Sequence, residues 1–131
     1  MRLYTLEEAE RLLPEVIPVL ESLRDAFLEL RTVQAAVSAH ARGASADGHL
    51  LADPFNNGGG DNRIEQLNRK LQQAASRLDR WGIEIKDPET GLIDFFHERD
   101  GRTVYLCFIL GESTIGFWHE LSAGFAGRQP I

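Results

Sequence analysis

The residues that could carry chemistry gather in the C-terminal third of the chain: Asp94, His97, Cys107, His119, Glu120 and Arg128. Histidine titrates near neutrality and is a frequent metal ligand, so His97 and His119 come first. Two imidazoles on one sheet face, two strands apart, have backbones roughly 9 to 10 Å apart. Leaning inward, they could share one divalent metal ion, with Glu120, Glu98 or a glutamate of the first helix as a further ligand. The plainer reading makes each a rim residue, bonded to a carboxylate or carbonyl where an apolar face meets solvent. "WHELSA" is not the H-E-x-x-H zinc motif, because Ala123 stands where the second histidine belongs.

Asp94 is the more unusual residue, set between Leu92 and Phe96 in an apolar run. A carboxylate there is costly unless a cation or several donors meet it. Arg128 is the candidate partner. That pair would latch the tail over the sheet, or orient a small ligand in the space left by Gly116. Asp94 and Cys107 as base and nucleophile form a weaker reading, since burial beside a carboxylate disfavours the thiolate. "AGFAGR" has no following helix and is no dinucleotide fingerprint, though Arg128 with the tail glycines could bind a small anion. "NNGGGDNR" lacks the Lys-Ser/Thr pair of a phosphate loop. His40, Asp47, His49 and Asp53 read as residues of a solvated loop.

These side chains need elements to hold them. Thr5 and Glu8 make a capping box, so a helix starts there. Pro14 lies about two turns in and predicts a short segment, Leu6 to Leu13, followed by a break or kink. The main helix then runs to about Ala41, with Leu13, Val16, Leu20, Leu23, Phe27, Leu30, Gln34 and Val37 forming a coiled-coil-like seam. Residues 43–61, rich in Gly, Asn, Asp and Pro, read as a flexible loop. Residues 62–81 repeat the seam with Ile64, Leu67, Leu71, Ala74, Leu78 and Trp81, and Gly82 is placed to end the helix. Two matched seams predict an antiparallel hairpin.

After Gly82 the period changes to two, and residues 83–119 read as an antiparallel meander, with a C-terminal tail over 120–131. A two-residue turn at Asp100-Gly101 pairs Arg99 with Arg102, His97 with Val104 and Phe95 with Leu106. A similar turn at Gly111-Glu112 would pair Val104 with His119 and Leu106 with Phe117. One face then carries His97, Val104 and His119; the other carries Asp94, Cys107 and Gly116 beside Phe96, Tyr105 and Trp118. Both faces are mainly apolar, so each needs a cover. The hairpin supplies one, and a second subunit in a homodimer, or the tail with Phe125 as a plug, supplies the other. The expected architecture is α+β, a long helical hairpin with a short N-terminal helix packed on a small meander, all in one domain over 1–131.

With 131 residues, 43% of them hydrophobic, the chain fits one modest core. A net charge of −6 argues against nucleic acid and anionic lipid as partners. A single cysteine excludes a disulfide framework and suits a reducing cytoplasm, and no stretch is apolar enough to span a membrane. The segments "GIEIKDPETGLIDF", "VYLCFILGE" and "WHELSAGFAGRQPI", with the opening "YTLEEAERLLPEVIPVL", resemble an uncharacterised prokaryotic family, domain of unknown function 2203. The Trp-His pair followed by GF-x-GR-x-P is fairly specific to that family. Phe96 stands where that family often has proline and Phe108 where tryptophan is common. The resemblance implies no activity, cofactor or catalytic residue. Two functional readings follow from the residues: a structural or interaction protein that self-associates or binds a protein partner, and a metal-binding protein or small metal-dependent enzyme using His97, His119 and Glu120.

Overall fold

Thr5 and Glu8 close the capping box: the Thr5 amide donates to Glu8 Oε1 at 2.8 Å, and the Glu8 amide to Thr5 Oγ1 at 3.1 Å. The computed structural model describes the backbone of residues 1–47 and 54–131, and the side chains of residues 1–39 and 62–131. From the box runs α1, Leu6–Asp47, without interruption at Pro14 or Pro18. The break expected at Pro14 is therefore absent. Both prolines lie on the exposed side of the helix, so the carbonyls they leave unbonded, those of Glu10 and Pro14, can be hydrated. On the other side Leu13, Val16, Leu20 and Leu23 are buried and hold the flanking turns to the core.

The second helix, α2, spans Pro54–Arg80. The loop expected over 43–61 is thus replaced by helix at 43–47 and 54–61, and residues 48–53 lie outside the described residues. Adding a residue to a formed helix costs little, and proline suits a first helical position. The hairpin packs through two groups: Ala26 and Leu30 meet Leu67, while Leu13 to Leu23 meet Ala74 and Leu78 above the sheet. Gly82, at φ +76°, ends α2 with its amide on the Asp79 carbonyl at 2.8 Å.

Five antiparallel strands follow in sequential order: β1 Ile83–Asp87, β2 Leu92–Arg99, β3 Arg102–Ile109, β4 Phe117–Glu120 and β5 Gln129–Pro130. Asp100 and Gly101 both have positive φ, 53° and 79°, as a two-residue hairpin turn requires. The β2–β3 register is the expected one, with His97 opposite Val104 and Phe95 opposite Leu106. The β3–β4 register is not. Val104 faces Glu120, Tyr105 faces His119, Leu106 faces Trp118 and Cys107 faces Phe117, a slip of one residue. Because side chains alternate, that slip moves every β4 residue to the opposite face.

Two features enforce the slip. Residues 110–116 form a wider connection than a two-residue turn, in which the Ile109 amide donates to Glu112 Oε1 at 2.9 Å and Ile115 enters the core. Trp118 then reaches the helix-covered face beside Phe95 and Leu106, where it is 6% exposed. Burying roughly 150 Å² of indole there contributes on the order of 4 kcal/mol, which the expected register would forgo.

The helix-covered face holds Ile93, Phe95, Val104, Leu106 and Phe108, and Tyr4 packs edge-on against Phe95 at 5.2 Å. The outer face is covered by the chain's own tail, which arches over it and returns as β5 on the edge of β4. Phe125, in a one-turn 3-10 helix at Phe125–Gly127, is about half exposed and is not the plug expected of it.

Candidate functional site

The outer face brings together three reactive side chains. Asp94 on β2 lies opposite Cys107 on β3, and His119 on β4 leans back across β3 toward both. His119 Nε2 lies 3.1 Å from Asp94 Oδ1 and 3.0 Å from Oδ2. One donor atom from each of Asp94, Cys107 and His119 can be chosen so that all lie within 4.8 Å of one another. All three residues are at most 2% exposed.

The hydrogen bonding of His119 constrains its tautomer. Its Nδ1 lies 2.8 Å from the Glu120 carbonyl oxygen, which can only accept, so Nδ1 carries a hydrogen. Its Nε2 faces a carboxylate. A bond there needs one more proton, on Nε2 as an imidazolium or on Asp94 as a carboxylic acid. Both ring nitrogens are occupied, so His119 is not a free general base for a nucleophile.

The surroundings tune these groups. Burial pushes the Asp94 carboxyl above its ordinary value, opposed by the attraction of His119. Burial and the Asp94 carboxylate push the Cys107 thiol up to about 12, so without a cation it is a protonated, inert thiol.

A cavity of about 300 Å³ opens onto Asp94 and His119 of this cluster. Asp94, His119, Tyr105 and Lys86 form its sheet side, and residues 121–125 of the tail form the other. At the rim the Tyr105 hydroxyl donates to Glu84 Oε1 at 2.9 Å, and Lys86 Nζ donates to Glu84 Oε2 at 2.7 Å. The hydrogen bond from Lys86 holds the Glu84 carboxyl below its ordinary value.

The expected site residues separate. His97 and His119 lie on opposite faces and share nothing; His97 Nδ1 donates to the Tyr4 carbonyl at 2.7 Å and ties the N-terminal segment to β2. The Glu120 side chain is turned away and accepts from Arg102 Nε at 3.0 Å. Asp94 and Arg128 do not pair. Arg128 instead binds both oxygens of Glu112, at 2.9 and 2.8 Å, with its guanidinium 4.1 Å from the Phe117 ring centroid and 4.7 Å from that of Phe125. The latch to the tail exists, but its acid is Glu112.

The sequence reading missed Glu112, and it placed Cys107 beside Asp94 without bringing His119 to them. A usable signal was present: indole is the larger apolar group and belongs with Phe95 and Leu106, which sends His119 to the Asp94 side.

Fold and cluster together define an α+β protein with a buried Asp-Cys-His group beneath its own C-terminal tail. Residues 2–131 match the family described as Uncharacterized conserved protein (DUF2203), and the chain belongs to it. No curated protein and no solved structure matches the chain. Asp94 lies in "GLIDF", Cys107 and Glu112 in "VYLCFILGE", and His119 and Arg128 in the closing segment, so every segment of the strand region that resembles the family supplies part of this arrangement.

Proposed function

We propose that this protein binds a divalent transition-metal ion through Asp94, Cys107 and His119, with a fourth coordination position facing the cavity. The carrying observation is the orientation of His119. Its Nε2 is aimed at the Asp94 carboxylate, with Cys107 in the same cluster, while Nδ1–H is anchored on a backbone carbonyl, the arrangement that metal-ligating histidines adopt to fix their tautomer. Tetrahedral zinc with ordinary bond lengths needs donors roughly 3.3 to 3.7 Å apart. Closing the widest separation from 4.8 Å takes about 1 Å of side-chain movement. One nitrogen, one sulfur and one oxygen suit zinc or cobalt better than magnesium or calcium. The ion would also displace the proton held between His119 and Asp94 and the thiol proton of Cys107, supplying positive charge where burial disfavours both anions.

This site replaces the expected His97, His119 and Glu120 set. It also weakens the case for a homodimer, because the tail buries within one chain the outer face that argued for a second subunit. Among the described residues no helix is long and apolar enough to cross a membrane. A thiolate ligand needs reduced cysteine, so we place the protein in the cytoplasm.

The test is metal loading of the purified chain, with cobalt as a spectroscopic substitute for zinc. We expect about one ion per chain and a thiolate-to-cobalt charge-transfer band that Cys107→Ser abolishes. Affinity should fall at least 100-fold in His119→Ala and remain unchanged in His97→Ala. A chain that takes up no ion, or that binds equally well without Cys107 and His119, would overturn the assignment.

A further inference from the structure

The cavity is graded. Its floor, at Asp94 and His119, is 0% and 2% exposed and polar, whereas its mouth is rimmed by Leu121 and Phe125, 47% and 49% exposed and apolar. Leu92, Ala123 and Lys86 also line it. A polar end buried beneath an apolar mouth fits an amphiphile that enters head first. Resting on the metal reading above, we infer that the ligand is a medium-chain acyl compound, whose carboxyl oxygens take the open coordination position and whose alkyl tail leaves past Leu121 and Phe125. A volume of about 300 Å³ holds on the order of ten water-sized groups at ~30 Å³ each. That is the size of a carboxyl head with six to eight carbons. The half-exposed Leu121 and Phe125 are thereby accounted for, since their free surface is what such a tail covers.

Alkyl hydroxamates test this directly, because the head binds a metal ion and only the tail length varies. Cobalt-loaded full-length protein is titrated with aceto-, butano-, hexano- and octanohydroxamic acid, following the cobalt absorption spectrum. Affinity should rise roughly threefold to fourfold per methylene, the ratio for burying one CH₂, and level off once the cavity is full. Leu121→Ser should flatten the series, with far-UV circular dichroism checking that the variant is folded. Equal affinity across the series would overturn the acyl assignment and leave the metal site standing. A spectrum that no hydroxamate alters would overturn the assignment and the open position with it. No cobalt uptake would overturn the metal reading and this inference together.

Discussion

Cys107 is the residue whose state discriminates most sharply between the ion-free and ion-bound chain. With its thiol pushed up to about 12 and 1% exposed, it should resist alkylation in the folded, ion-free protein and react at an ordinary cysteine rate only after denaturation. Iodoacetamide labelling followed by mass spectrometry checks this, and rapid native labelling would contradict it. The same thiol proton must leave when an ion binds. Affinity should then rise about tenfold per pH unit between pH 6 and 8 from Cys107 alone, and more steeply if the proton shared by His119 and Asp94 leaves too. Asp94 supplies a second pH effect, in stability. An unfolded chain loses the Asp94 carboxyl proton near pH 3.9, whereas burial favours keeping it on the folded chain to higher pH. Its contribution is full below the unfolded value and is lost as pH rises through the folded one. Relative to wild type, ion-free Asp94→Asn should therefore gain stability in urea titrations as pH rises above the ordinary carboxyl range. The oddity of Asp94 was legible in the sequence from its apolar neighbours alone. Its partner was not, because pairing with His119 depends on a register set by the residues between β3 and β4.

At the scale of elements, the parts governed by local chemistry were the readable ones. The capping box, the Gly82 stop and the Asp100-Gly101 turn each depend on residues within a few positions of one another, and each is present as read. The β3–β4 connection depends on where Trp118 and Ile115 pack, which is tertiary information. Pro14 misled for the same reason: packing of Leu13 and Val16 outweighs the lost helical bond. Gly91 offers an element-level test. It sits at φ +74°, and an added Cβ would come within 2.4 Å of Leu110 Cδ1. Gly91→Ala should cost about 1 to 3 kcal/mol by strain in the β1–β2 turn. Gly101→Ala shares the positive φ but meets nothing within 4 Å, so in denaturant titrations it should cost less.

For the whole molecule, the sheet is clamped between two covers of unequal size. The helical hairpin covers one face with a broad apolar core, and a tail of eleven residues, 121–131, covers the other. Removing the tail would uncover Tyr105, Cys107 and His119 and free the edge of β4. Deletion of residues 121–131 should therefore produce concentration-dependent association in sedimentation velocity, together with loss of metal affinity. A shortened chain that behaves hydrodynamically like the intact one would show that the tail is not the cover. The sequence did show that both faces are apolar and need covering; it could not show which cover was used, since a neighbouring subunit and a returning tail satisfy the same apolar pattern.

Every side chain of the proposed centre and its cavity, from Lys86 on β1 to Phe125 in the tail, comes from the sheet or the segment that follows it, and none comes from α1 or α2. Among the described residues, the hairpin packs on the opposite face. Natural variation should therefore fall unevenly in this family: the outward surfaces of the two helices can drift in sequence and charge at no chemical cost. A single change at Asp94, Cys107 or His119 would instead remove a proposed ligand outright.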